Sequence, residues 1–135
     1  VDASITDQIT EKNLAEAVAY IRAFSQQAGA IIAVSGAIDI VSSATKSYII
    51  KNGHPDMSKI TGSGCMLSAL VAAYLAANPT NPLEATATAF VLMGLAGEKA
   101  AIDFHGTGSF RVNLIDAISY ITAQELKAGA KIVEF

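Results

Sequence analysis

Leu14, Ala17, Val18, Ile21 and Phe24 return at intervals of three and four residues, the spacing that lines one face of a helix. Thr10 stands where it can cap that helix, Glu11 follows in the first turn, and "QQAGA" stops it near Gly29. The pattern then shortens to "AIIAVSG", an apolar run that closes on Ser35-Gly36. Such a run predicts a buried parallel strand whose C-terminal end opens into a functional loop. "IDIVSS" and "TKSYIIKNG" are β-rich and meet at a turn near Ser43-Ala44, which predicts a hairpin containing Asp39. Asn52-Gly53 and Pro55 break regular structure, so "NGHPDMSK" is an irregular connection.

From Cys65 to Ala77 the chain is apolar nearly all round, which predicts a helix covered on most sides. Asn81-Pro82-Leu83-Glu84 starts another helix, with Asn as cap, Pro at the first position and Glu at the third. That helix should reach about Phe104. Its Gly94 and Gly97 predict close approach of a neighbouring helix, or a site wall. Gly106–Gly108 predicts a turn, Ser109 a cap, and a final helix to about Lys127; "AKIVEF" is a last strand or a plain extension. The order helix, strand, hairpin, glycine loop and three helices fits half of a doubly wound α/β domain.

Composition sharpens this picture by exclusion. Hydrophobic residues make up 52% of the 135 and charged residues 16%, which suits a buried α/β interior and argues against disorder. The formal charge of −3, without a Lys/Arg cluster, makes nucleic acid and anionic membrane poor partners. Neither apolar run, Cys65 to Ala77 or Ala85 to Gly97, has the length of about 20 residues that spanning a bilayer needs. A single cysteine with two distant histidines, His54 and His105, makes neither a disulfide nor a zinc site. No signal-peptide pattern precedes the first helix, and a reducing, cytoplasmic setting is expected. The opening "VDAS", without an initiator Met, reads as part of a larger polypeptide.

The candidate chemistry lies in "KITGSGCMLSALVAAYLAA". Glycines before a helix let successive backbone N–H groups turn inward, and the helix end adds partial positive charge, so the loop can hold phosphate. The same field favours a thiolate at Cys65. On composition alone, Cys65 is more simply a small core hydrophobe. Rival motifs fail on spacing: there is no G-x-x-x-x-G-K-[ST], and Ser63 has Thr61 and Cys65 where a hydrolase elbow needs glycines. Tyr48, Tyr74 and Tyr120 read as packing rings, and His54 and His105 as loop or helix-end residues.

"KITGSGCMLSALVAAYLA" resembles the anion-hole segment of the hydroxyethylthiazole kinase family, within the ribokinase-like superfamily. "IIAVSGAIDIVSS", "NGHPDMSKITG" and "GTGSFRVNLIDAISYI" resemble further segments of that family, in the same order. The resemblance implies that residues 1–135 are the C-terminal portion of one kinase domain. Its fold would be the C-terminal half of a three-layer α/β/α architecture with a β-hairpin and three C-terminal helices. It implies ATP-dependent phosphorylation of 5-(2-hydroxyethyl)-4-methylthiazole in thiamine salvage. Cys65 matches the catalytic position, where relatives in the superfamily carry aspartate. Gly62 matches a substrate contact, Ser63 and Gly64 belong to the phosphoryl cradle, and Ser35 matches a nucleotide-contacting Thr or Ser. The resemblance also implies Mg2+ as cofactor, held by residues of an N-terminal half, and a homotrimer with active sites between subunits. No acidic pair in this sequence looks like a metal site. A hydroxymethylpyrimidine (phosphate) kinase, which predicts aspartate at position 65, and a non-catalytic association fragment are the alternatives.

Overall fold

The computed structural model describes residues 9–135; the expected domain's opening residues, Val1 included, lie outside this range. The described chain is a twisted sheet with helices on both faces. Helix α1 (Leu14–Ala28) ends at Gly29, whose left-handed φ of 64° lets its N–H reach Ser25 O. Thr10 does not cap it. Asn13 holds that position, and Asn13 Oδ1 instead accepts from the Thr10 N–H.

Strands β1 (Ile32–Val34), β2 (Asp39–Ser42), β3 (Ser47–Ile50) and β4 (Ile132–Glu134) form one sheet in the order β1-β2-β3-β4. The β2–β3 hairpin turns at Ser43–Lys46, where the Ser43 hydroxyl accepts from Lys46 N–H and donates to Lys46 O. β1 is not the parallel strand its apolar run predicts. It pairs antiparallel with β2 through Ala33 opposite Val41, and every pairing among the described residues is antiparallel. Nor is β1 buried: Ala33 is exposed and Ile32 and Val34 are half-buried, so an apolar run records neither strand direction nor whether this chain covers both faces.

Alternation along the strands supplies two cores. Ile40 and Ile49 lie opposite each other in register and point to Val18 and Ile21 of α1. Val41, Tyr48 and Ile50 point the other way, to Leu83, Ala87, Phe90 and Val91 of helix α3 (Pro82–Ala100). The three-layer α/β/α arrangement thus follows from a period of two in the strands and helical faces on either side.

Helix α2 (Ser63–Ala77) lies beside α3, and α3 also packs against helix α4 (Thr107–Tyr120) and helix α5 (Ala123–Gly129). The expected enclosure falls on the other helix. α3 is buried along almost its whole length, whereas α2, apolar as it is, has no buried residue and leaves Ala69, Ala72, Ala73 and Ala76 exposed. α3 stops at Ala100 rather than Phe104, and Phe104 packs edge-on to Phe110. The expected last helix is split in two. Thr122 caps α5 by accepting from Glu125 N–H, and the Glu125 carboxylate accepts from Thr122 N–H in return. Ser109 does serve the start of α4, but from its third position: its hydroxyl accepts from the Gly106 and His105 amides. Among the described residues, no helix is long and apolar enough to cross a membrane.

Candidate active site

Gly62 adopts φ 94°, a left-handed conformation that costs a residue with a Cβ about 1–2 kcal/mol, and this turns the chain from the preceding loop into α2. The helix therefore begins at Ser63, two residues before the predicted start. Met66 N–H is the first amide to bond within the helix, to Gly62 O at 2.9 Å. The amides of Ser63, Gly64 and Cys65 precede it and have no acceptor within the helix. Three donors and the positive end of the helix macrodipole are thus presented together.

Two of these residues, Ser63 and Gly64, border a cleft of about 560 Å³. Ser63, Gly64 and Leu67 form its α2 side, Phe90, Met93 and Gly94 its α3 side, and Ser35, Gly36 and Ala37 come from the end of β1. Ser35, Ser63 and Gly64, singled out far apart in sequence, therefore line one cavity. Gly62 and Cys65 are outside its lining. Cys65 is exposed at the third position of α2 and makes no side-chain hydrogen bond among the described residues. Neither histidine is paired with it: His54 starts the 3-10 turn Pro55–Lys59, and His105 precedes α4.

The wall opposite rests on a polar network. Asn52 is buried, and its amide donates to Glu98 Oε1 at 3.1 Å and to Gly129 O at 2.9 Å, while its Oδ1 accepts from Lys131 N–H at 2.7 Å. Glu98 also accepts from Gly53 N–H and pairs with Lys131 Nζ at 3.0 Å. Gly94 makes room for this wall, because a Cβ there would collide with the Asn52 backbone; at Gly97 one would collide with Met57. The close approach that these helical glycines predict is real: Gly94 lines the cleft wall against Asn52, and Gly97 meets Met57 of the 3-10 turn Pro55–Lys59 rather than a neighbouring α-helix.

Four more residues with usable chemistry line the cleft: Asp39 and His54, read from sequence only as hairpin and loop residues, and Lys51 and Ser58, which the sequence reading did not single out. Lys51 pairs with Glu11 at 2.6 Å. His54 Nδ1 accepts from Asp56 N–H. Asp39 Oδ1 accepts from Gly36 N–H at 2.9 Å, and burial pushes its carboxyl up to about 7 from 3.8, with the Gly36 bond pulling the other way. The spacing Ser-Gly-x-x-Asp was the available signal, since a short carboxylate often closes its own turn.

Among the described residues, no group of three or more His, Cys, Asp or Glu side chains could hold a metal ion. Unbonded amides at a helix start suit an anionic group, and among the described residues no side-chain cluster offers Mg2+ a site of its own.

Residues 6–124 match a family model described as the hydroxyethylthiazole kinase family. The hydroxyethylthiazole kinase of Clostridium acetobutylicum is 41% identical over 134 residues, covering 97% of this chain and 49% of that protein. Hydroxyethylthiazole kinase 1 of Methanosphaera stadtmanae is 43% identical over 136 residues, covering 98% of this chain and 47% of the relative. The solved structure of a hydroxyethylthiazole kinase protein from Pyrococcus horikoshii OT3 superposes with a TM-score of 0.84 at 35% identity, over 93% of this chain and 48% of that one. The chain spans about half the length of the curated relatives it matches.

Proposed function

The chain belongs to the hydroxyethylthiazole kinase family, and from that premise we propose that it is the C-terminal portion of an enzyme that phosphorylates 5-(2-hydroxyethyl)-4-methylthiazole with ATP, in thiamine salvage in the cytoplasm. The observation that carries this reading is the meeting of Ser35 with the free amides of Ser63 and Gly64 around one cleft. Phosphoryl transfer asks mainly for alignment and for neutralisation of charge on the equatorial oxygens. A fixed set of amides at a helix end supplies both without reorganising during the reaction.

In this mechanism the Ser63, Gly64 and Cys65 amides hold the γ-phosphoryl group and Ser35 holds the nucleotide from the β1 end. Gly62 approaches the acceptor through its backbone, where a side chain would intrude. The acceptor oxygen forms its bond to phosphorus as the bond to the ADP oxygen breaks. Cys65 orients that hydroxyl, and its deprotonated sulfur takes the proton late, once the bond to phosphorus has largely formed. Mg2+ would offset charge between the phosphates, and its ligands belong to the portion of the enzyme outside this chain. That portion, together with neighbouring copies in a homotrimer, would cover the exposed alanine face of α2 and the thiol beside it. This would also explain why an apolar helix has no buried residue here.

Turnover of the thiazole alcohol with Mg·ATP by the full-length enzyme tests the assignment. Cys65→Ala should lower kcat about 100-fold, within the range for general-base groups, and leave residual activity, while Cys65→Asp should retain or raise it. A wild-type kcat for Cys65→Ala would remove the proton-accepting role.

A further inference from the structure

The connection between β1 and β2 is closed by one side chain. Asp39, the first residue of β2, reaches back to Gly36 N–H at 2.9 Å, and Ser35, Gly36, Ala37 and Asp39 all line the cleft. From the next strand, Asp39 stands opposite Ile50 in register, directly before the Lys51–Asn52–Gly53 wall. Gly36 N–H is the side chain's hydrogen-bond partner among the described residues. Burial makes a charged carboxylate unfavourable at this position. An acid kept there against its own desolvation, for one backbone bond beside the nucleotide contact, is better explained by the placement of that turn than by packing.

We propose that Asp39 is a positioning residue for the nucleotide: through Gly36 N–H it fixes the Ser35 turn in the cleft that carries the free amides of Ser63 and Gly64. This rests on the assignment of Ser35 to the nucleotide. Asp39 does not act on the transferred group itself. Its effect should therefore fall on nucleotide affinity and pass through Ser35.

Steady-state kinetics of the full-length enzyme, with MgATP and the thiazole alcohol varied separately, test this. Losing the clamp in Asp39→Ala should raise the KM for MgATP about tenfold, the equivalent of one ordinary hydrogen bond, with kcat and the KM for the alcohol within about twofold. Asp39→Asn keeps an oxygen that can accept from Gly36 N–H and should stay within about twofold of wild type. Because both residues act through one turn, Ser35→Ala/Asp39→Ala should be no weaker than the poorer single variant. An unchanged KM in Asp39→Ala, additive effects in the double variant, or Asn as poor as Ala would overturn the proposal. Should Asp39→Ala fail to fold, Asp39→Asn decides alone: a near-wild-type KM supports the clamp and a tenfold rise overturns it. If Ser35→Ala leaves the KM for MgATP unchanged, the nucleotide assignment itself fails. If Ser35→Ala raises it and Asp39→Ala does not, only the role of Asp39 fails.

Discussion

Asp39 binds its proton more tightly in the folded chain, near pH 7, than at its ordinary value of 3.8. Between those values the folded state carries more protons than the unfolded state, so stability falls as pH rises through that window and levels off above it. Asp39→Asn, which cannot ionise, should lose this dependence. Thermal melts from pH 4 to pH 8 should show the variant gaining on wild type as pH rises, and parallel curves would contradict the buried ionisation. Sequence exposed this residue only as part of a hairpin, because nothing local to Asp39 records that the cleft wall will partly shield it from water. Cys65 is the opposite case. Its place after a glycine turn was legible as chemistry, and composition made it a core residue, yet it is exposed. The count of apolar neighbours in sequence does not say which of them will be covered by this chain.

Helix ends were more legible than helix interiors, because their signals are carried by few residues. Gly29, Pro82 and Ser109 all mark real ends. Thr122-x-x-Glu125 is such a signal too, but Leu114, Ile118 and Ile121 continue the apolar spacing up to it, and periodicity reads through the break between α4 and α5. The box there is complete, and Lys99 Nζ adds an ion pair to Glu125 at 2.9 Å. These partners hold the Glu125 carboxyl down at about 2, chiefly through the Thr122 N–H. Thr122→Ala should destabilise the protein by about 1 kcal/mol, as lost caps do, read as a lower denaturant midpoint at an unchanged slope. No change in the midpoint would mean that α5 is held by packing alone. The partner of Gly94 was beyond sequence reading for another reason. A helical glycine announces a close neighbour, but the neighbour here is Asn52, brought in by the sheet.

On the scale of the whole molecule, the layered α/β arrangement was legible from alternating periods, and the strand directions were not. The sheet's order runs with the sequence, but its last pairing is of a different kind from the first two. β1, β2 and β3 follow one another through short turns, whereas β4 returns to β3 only after four helices. Asn52 Oδ1 meets Lys131 N–H across 79 residues, and the Arg22 guanidinium reaches the Phe135 carbonyl from α1. In the terms of folding kinetics, β4 is the clasp of a long loop. Closing a loop of that length costs on the order of 4 kcal/mol in chain entropy, and three ladder residues regain little until the helices inside it have packed. The strand should therefore dock after the rate-limiting barrier. Val133 lies opposite Ile49 in register, and Val133→Pro, which removes a backbone donor, should speed unfolding and leave the refolding rate within about twofold. A slowed refolding limb in stopped-flow measurements would place the clasp in the folding nucleus instead. Late docking would give the chain's last strand a second meaning: until it closes, β3 has a free edge, and the Asn52 wall of the cleft lacks the Lys131 bond that steadies it.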